Sequence, residues 1–81
     1  MFSVYSTGYQ LVIKTLRDAR IEKSITQAKL AEALERPQSF IAKVENGERK
    51  LDVVEFAAIA RLLGVDAGAI IERIGGRFHS L

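Results

Sequence analysis

The sequence predicts an all-α domain of five short helices, and three observations carry that expectation. Apolar residues recur at three- and four-residue spacings through most of the chain, the separation that puts side chains on one face of a helix. Residues able to cap a helix stand just ahead of those stretches, at Thr7, Thr26, Asp52 and Asp66. The only strand-like alternation, at Phe2 and Val4, is too short to form a stable strand.

Residues 1 to about 7 predict a mobile N-terminal arm. Thr7 and Gln10 have the spacing of a capping box, so the first helix is expected from about Gly8 to Lys23. Val12, Leu16, Ala19 and Arg20 line one side of it, and Ser24 ends it. The stretch from about residue 26 to 46 then reads as two short helices set across a sharp turn. In the first, about Gln27 to Leu34, Leu30, Ala31 and Leu34 share a face, while Lys29, Glu32 and Glu35 fall largely on the other. Thr26 caps it, and Ala31 supplies the small side chain that two crossing helices need where their backbones approach. Pro37 disfavours helical geometry at Arg36 yet suits the first turn of a new helix, so Glu35, Arg36 and Pro37 form the turn.

In the second helix of the unit, about Gln38 to Glu45, Ile41 and Val44 point inward, and Gln38, Ser39, Ala42 and Lys43 point outward. Asn46 and Gly47 tolerate the left-handed backbone that closes a helix. Asp52 and Glu55 repeat the capping-box spacing and open a fourth helix with Phe56, Ile59, Ala60 and Leu63 inside, ending at Gly64. Asp66 caps a fifth with Ile70, Ile71 and Ile74 as its apolar residues. Gly75 and Gly76 end it, and a short tail runs over about residues 75 to 81. With no repeat or internal linker, residues 1–81 read as a single domain.

Composition narrows the function classes. The chain has 81 residues, 48% of them apolar, enough for one small core and too many for disorder. It has no cysteine, so helix packing must supply the stability that disulfides or thiolate metal sites give other small domains. No apolar run approaches the roughly 20 residues of a membrane span, and no secretory signal precedes the first helix, so a cytoplasmic location away from membranes is expected. The single histidine, His79, lies near the C-terminus without a general-base partner or second ligand close in sequence, and there is no glycine-rich phosphate loop. An enzyme is not expected, and neither a metal nor a cofactor is called for. Net charge is +2, a mild lean toward polyanions, and Lys29, Arg36, Lys43, Arg49 and Lys50 lie in or beside the two-helix unit. Two short helices joined in this way commonly lay the second one in the DNA major groove. The outward residues near the start of that second helix are polar and able to hydrogen-bond base edges.

The segments LRDAR (16–20), ITQAKLAEAL (25–34), SFIAKVENGER (39–49) and FAAIARLLGV (56–65), in this register, resemble the lambda-type Cro/repressor helix-turn-helix family, also called the xenobiotic-response-element (XRE) type. The likeness extends over about residues 10 to 74. It implies a five-helix, lambda-repressor-like domain that binds double-stranded DNA as a transcriptional regulator and repressor, commonly a homodimer on a palindromic operator. Gln38, Ser39, Lys43 and Phe40 are then the base-reading residues: Gln38 suits adenine, Lys43 suits guanine, Ser39 either, and Phe40 a thymine methyl or sugar. Gln27 takes the place of the phosphate-clamping glutamine, and Arg36, Asn46, Arg49 and Lys50 join it on the strand. Arg20 and Glu45 take the place of an internal ion pair. Ser24 and Glu35 depart from the family by standing where glycine is preferred, and Pro37 replaces the usual serine or threonine cap. Ile70, Ile71 and Ile74 span more than one face of the last helix, and with Phe78 they are the expected dimer interface. The alternative left open is an antitoxin or interaction module of the same fold that binds a toxin or other partner protein.

Overall fold

The computed structural model describes residues 5–76 and 78–81. A π-helical turn (Tyr5–Tyr9) leads into five α-helices: α1 (Gln10–Glu22), α2 (Gln27–Ala33), α3 (Gln38–Glu45), α4 (Val53–Leu62) and α5 (Ala67–Gly75). No strand occurs among the described residues. The arm expected at residues 1 to 7 lies in part outside them, and Tyr5 to Thr7 belong to the π-helical turn. The expected Thr7 cap is therefore not made. The N-cap residue of α1 is Tyr9, whose backbone is already helical (φ −67°, ψ −38°) because the π-helical turn feeds straight into α1. No side-chain cap forms there.

The other helix starts follow the cap residues. The Thr26 hydroxyl accepts from the Lys29 amide at 3.0 Å. The Asp52 carboxylate accepts from Glu55 N at 2.7 Å while Glu55 accepts from Asp52 N at 3.0 Å, a complete capping box. Asp66 accepts from Ala69 N at 3.1 Å. Each such cap stabilises by about 1 kcal/mol by satisfying an amide that has no intrahelical acceptor. Pro37, in extended geometry, offers α3 no side-chain cap.

The first four helices share one ending. After each, a residue enters the left-handed region and its amide, with the next one, reaches back to carbonyls of the last turn. Ser24 and Ile25 bond to Ile21 O and Arg20 O at 2.9 and 3.0 Å, and Glu35 and Arg36 bond to Glu32 O and Ala31 O at 3.0 and 2.9 Å. The same pattern recurs at Gly47 and Glu48, and at Gly64 and Val65. At Gly47 and Gly64 (φ +79° and +67°) the missing Cβ removes the steric penalty. Ser24 and Glu35 adopt the same turn at φ +57° and +58°, carrying a Cβ against the following carbonyl.

The core sits where all five helices meet. It comprises Val12 and Leu16 of α1, Leu30 and Ala31 of α2, Phe40, Ile41 and Val44 of α3, Phe56, Ile59 and Ala60 of α4, Leu63 just beyond it, and Ile70 of α5. Ile41 and Leu63 are fully enclosed, and burial of such a side chain stabilises by about 1.5–3 kcal/mol. Helices α2 and α3 make the most extensive helix–helix contact, and Ala31 of α2 is buried. No buried side-chain polar atom among the described residues lacks a partner.

Relief of the left-handed strain is measurable. Glu35→Gly is expected to stabilise the fold by about 0.5–1 kcal/mol, after allowing for the extra entropy glycine gives the unfolded chain. That corresponds to roughly 2–8 °C in thermal midpoint for a domain of this size. A lower midpoint by circular dichroism would show that the Glu35 side chain contributes more than its backbone costs.

Candidate nucleic-acid interface

Helix α3 spans two turns, so its faces are few and sharply divided. Phe40, Ile41 and Val44 occupy the inner face and are buried. Gln38, Ser39 and Lys43 are exposed, and no hydrogen bond joins any of the three side chains to another described residue. With Pro37 providing no side-chain acceptor, the start of α3 also presents the backbone amides of Gln38 and Ser39.

The C-terminal end of α3 is fixed by charge. Arg20 of α1 donates Nε to Glu45 Oε2 at 2.7 Å and Nη2 to Oε1 at 2.9 Å, a forked pair whose side chains are only 11% and 10% exposed. The remaining Arg20 nitrogen, Nη1, donates to Ile25 O at 2.7 Å, tying the α1–α2 turn to the same group. Gln27, the first residue of α2, donates Nε2 to Glu45 Oε1 at 2.9 Å. Its amide nitrogen is thus turned to Glu45, on an internal partner the sequence did not indicate.

The N-terminal end of α3 differs from expectation. Phe40 is buried, 9% exposed, and is not on the outer face with Gln38 and Ser39. One residue of helix separates it from Ser39, and that 100° step carries it to the Ile41 and Val44 side. The Arg36 and Arg49 guanidinium groups lie over its ring at 4.6 and 4.9 Å from the centroid. Both also meet Glu55: Arg49 donates Nη1 and Nη2 to its two oxygens at 2.7 and 2.9 Å, and Arg36 Nη2 donates to Oε2 at 3.1 Å. The Arg49 hydrogen bonds, then the Asp52 amide, hold the Glu55 carboxyl down at about 2, and Glu55 in turn pushes the Arg49 guanidinium up. Two of the side chains expected on phosphate, Arg36 and Arg49, are therefore engaged within the protein.

Beyond α3, Asn46 donates Nδ2 to Glu48 Oε2 at 3.4 Å, and the Lys50 ammonium lies 5.3 Å from the centre of the Tyr9 ring. The Tyr9 hydroxyl accepts from Leu51 N at 2.9 Å and donates to Arg49 O at 3.5 Å. It fastens the α3–α4 loop to the start of α1 from some forty residues away in sequence, a separation at which no local pattern signals contact. In α5, Ile70 is buried in the core, so its expected place in a dimer contact is not available. Only one position per turn of that short helix faces inward fully, and Ile70 takes it. Ile74 packs half-buried against the core, while Ile71 and Phe78 are exposed. No three His, Asp or Glu side chains among the described residues converge to hold a metal ion, and none of their helices is long and apolar enough to cross a membrane.

Comparison with known proteins gives two findings. The helix-turn-helix family profile matches residues 16–70. The solved structure of an XRE-family like protein from Pseudomonas syringae pv. tomato str. DC3000 is similar at 39% sequence identity, covering 94% of this chain and 93% of that one with a TM-score of 0.82. No curated protein matches.

The Glu55 cluster has a pH signature. Because folding depresses its pKa, its contribution is whole above the ordinary carboxylate value of 4.5 and is lost as pH falls toward about 2. Urea denaturation at about pH 6, 4 and 2.5 should show Glu55→Gln less stable than the unaltered chain at the highest pH, with the difference shrinking at the lowest. A difference independent of pH would mean the arginines do not pair with Glu55 in solution.

Proposed function

Because this chain belongs to the XRE-type helix-turn-helix family and is a DNA-binding regulator, we propose that α3 enters the major groove and reads sequence through Gln38, Ser39 and Lys43. The observation that carries this reading is the division of α3: its buried face is wholly committed to the core, and its exposed face holds three polar side chains with no partner among the described residues. Glutamine matches the paired donor and acceptor on adenine, lysine the acceptors of guanine, and serine either. The α3 amides at Gln38 and Ser39 add donors where the helix approaches the duplex.

Lys50 and Asn46, exposed beyond α3, are the proposed phosphate contacts, joined by the amide hydrogen of Gln27 that Glu45 does not take. Arg36 and Arg49, partly exposed but paired with Glu55, take a secondary place on the strand. We further propose that the chain works as a homodimer on a palindromic operator, joined through Ile71, Ile74 and Phe78, whose exposed or half-buried apolar surface supports that contact. Occupancy of an operator by two such domains denies the same duplex to other proteins, so repression is the proposed effect.

Selection of bound sites from a random duplex pool tests the reading directly. The expected product is a two-fold symmetric site whose half-sites are about 34 Å apart, one turn of DNA. On that site Gln38→Ala is expected to cost about 1–3 kcal/mol and relax choice at one base pair, whereas Lys50→Ala weakens all sequences alike and lowers the salt slope by about 1. An unaltered sequence preference in the Gln38 variant would remove it from base reading. Sedimentation with and without the selected site is expected to give a dimer that Ile71→Glu dissociates; a monomer under both conditions would end the dimer proposal.

A further inference from the structure

We propose that Glu55 is a positioning residue for base reading: by holding Arg36 and Arg49 against Phe40 it fixes the first turn of α3, from which Gln38 and Ser39 are displayed. The proposal rests on the DNA reading above and adds a residue that lies on α4, outside the helix-turn-helix unit.

The need for such a device follows from how α3 begins. Its N-cap residue is Pro37, which supplies no side-chain acceptor, and the preceding turn runs through Glu35 in left-handed geometry. A helix of this length has little stability of its own, so the direction of its first turn depends on what packs there. Phe40 is the first α3 side chain to reach the core, and its ring is where Arg36, from the turn before α3, and Arg49, from the loop after it, converge. Each guanidinium is secured at its far side by the same carboxylate. Glu55 is itself immobilised, because the capping box fixes it to the Asp52 amide at the start of α4. A single acidic side chain therefore links both flanks of α3 to α4, through two planar groups stacked on one ring, Arg49 forked onto the carboxylate and Arg36 held by one bond, which together admit little angular freedom.

Base discrimination is sensitive to that angle, since bidentate contacts to base edges hold only over a narrow range of helix placement. The test uses the full chain with two duplexes, one recovered by selection and one of scrambled sequence and equal composition, and reads the ratio of the two affinities. The added positive charge of Glu55→Gln strengthens backbone attraction for both duplexes alike, so it cancels in the ratio. The expected result is a folded E55Q protein whose ratio falls by about tenfold, the scale of one mismatched base pair. Phe40→Leu should fall comparably, and the double variant should fall no further than the larger single, because both act through one unit. Arg36→Lys, which keeps the charge at an exposed side chain and loses the planar group stacked on Phe40, is expected to move the ratio the same way and carries the test should E55Q not fold. A ratio unchanged in a folded variant, even with a lower thermal midpoint, would overturn the proposal and leave Glu55 a stability element alone. Failure of the unaltered chain to bind either duplex would instead overturn the DNA reading, and the proposal with it.

Discussion

The Arg20–Glu45 fork is the constraint on which the arrangement of α3 depends. Helix α3 has one anchoring point near its C-terminus, and that point is a carboxylate shared between Arg20 of α1 and Gln27 of α2, with the α1–α2 turn held by the same arginine. Ion pairs withdrawn from water gain little net stability, because desolvation offsets most of the attraction. Their value here is geometric. A planar guanidinium meeting both oxygens of a carboxylate fixes distance and angle together, which apolar packing of Ile41 and Val44 does not do. The third nitrogen of Arg20 and the amide of Gln27 leave the group few alternative poses.

Around that fork the fold is assembled from short helices with well-marked ends. Caps at Thr26, Asp52 and Asp66 start helices, and one repeated left-handed closure stops the first four helices, so the chain turns sharply without long loops. The short spacers bring the inner faces together over a core with one fully enclosed residue in α3, Ile41, and another at the end of α4, Leu63. The cost is tolerated at Ser24 and Glu35, where a side chain sits in backbone geometry that suits glycine.

Much of this was legible in the sequence because it is local. Helix order, the cap at Thr26, the Asp52–Glu55 box and the closure at Gly47 are each signalled within a few residues, and the inner faces of α2 to α4 follow helical periodicity. Periodicity does not place Phe40, because it leaves a residue at the border of the two faces undecided, and the groups that settle it, Arg49 and Glu55, come from a later loop and helix. Ile70 is hidden from sequence for a related reason: three isoleucines in one short helix do not say which of them the core will claim. Thr7 makes no cap because it lies inside the π-helical turn that runs straight into α1. The Tyr9 contact with the α3–α4 loop had no sequence signal at all.

In α3 the residues that hold the helix and those offered to solvent are interleaved within two turns yet share no duties. Phe40, Ile41 and Val44 belong to the core and Glu45 is held by α1 and α2, while Gln38, Ser39 and Lys43 are exposed and make no side-chain hydrogen bond to another described residue. Exchange at those three positions is therefore uncoupled from foldability. If the proposed base-reading role holds, the face offered to DNA can be altered by a handful of point changes without touching the side chains that build the core.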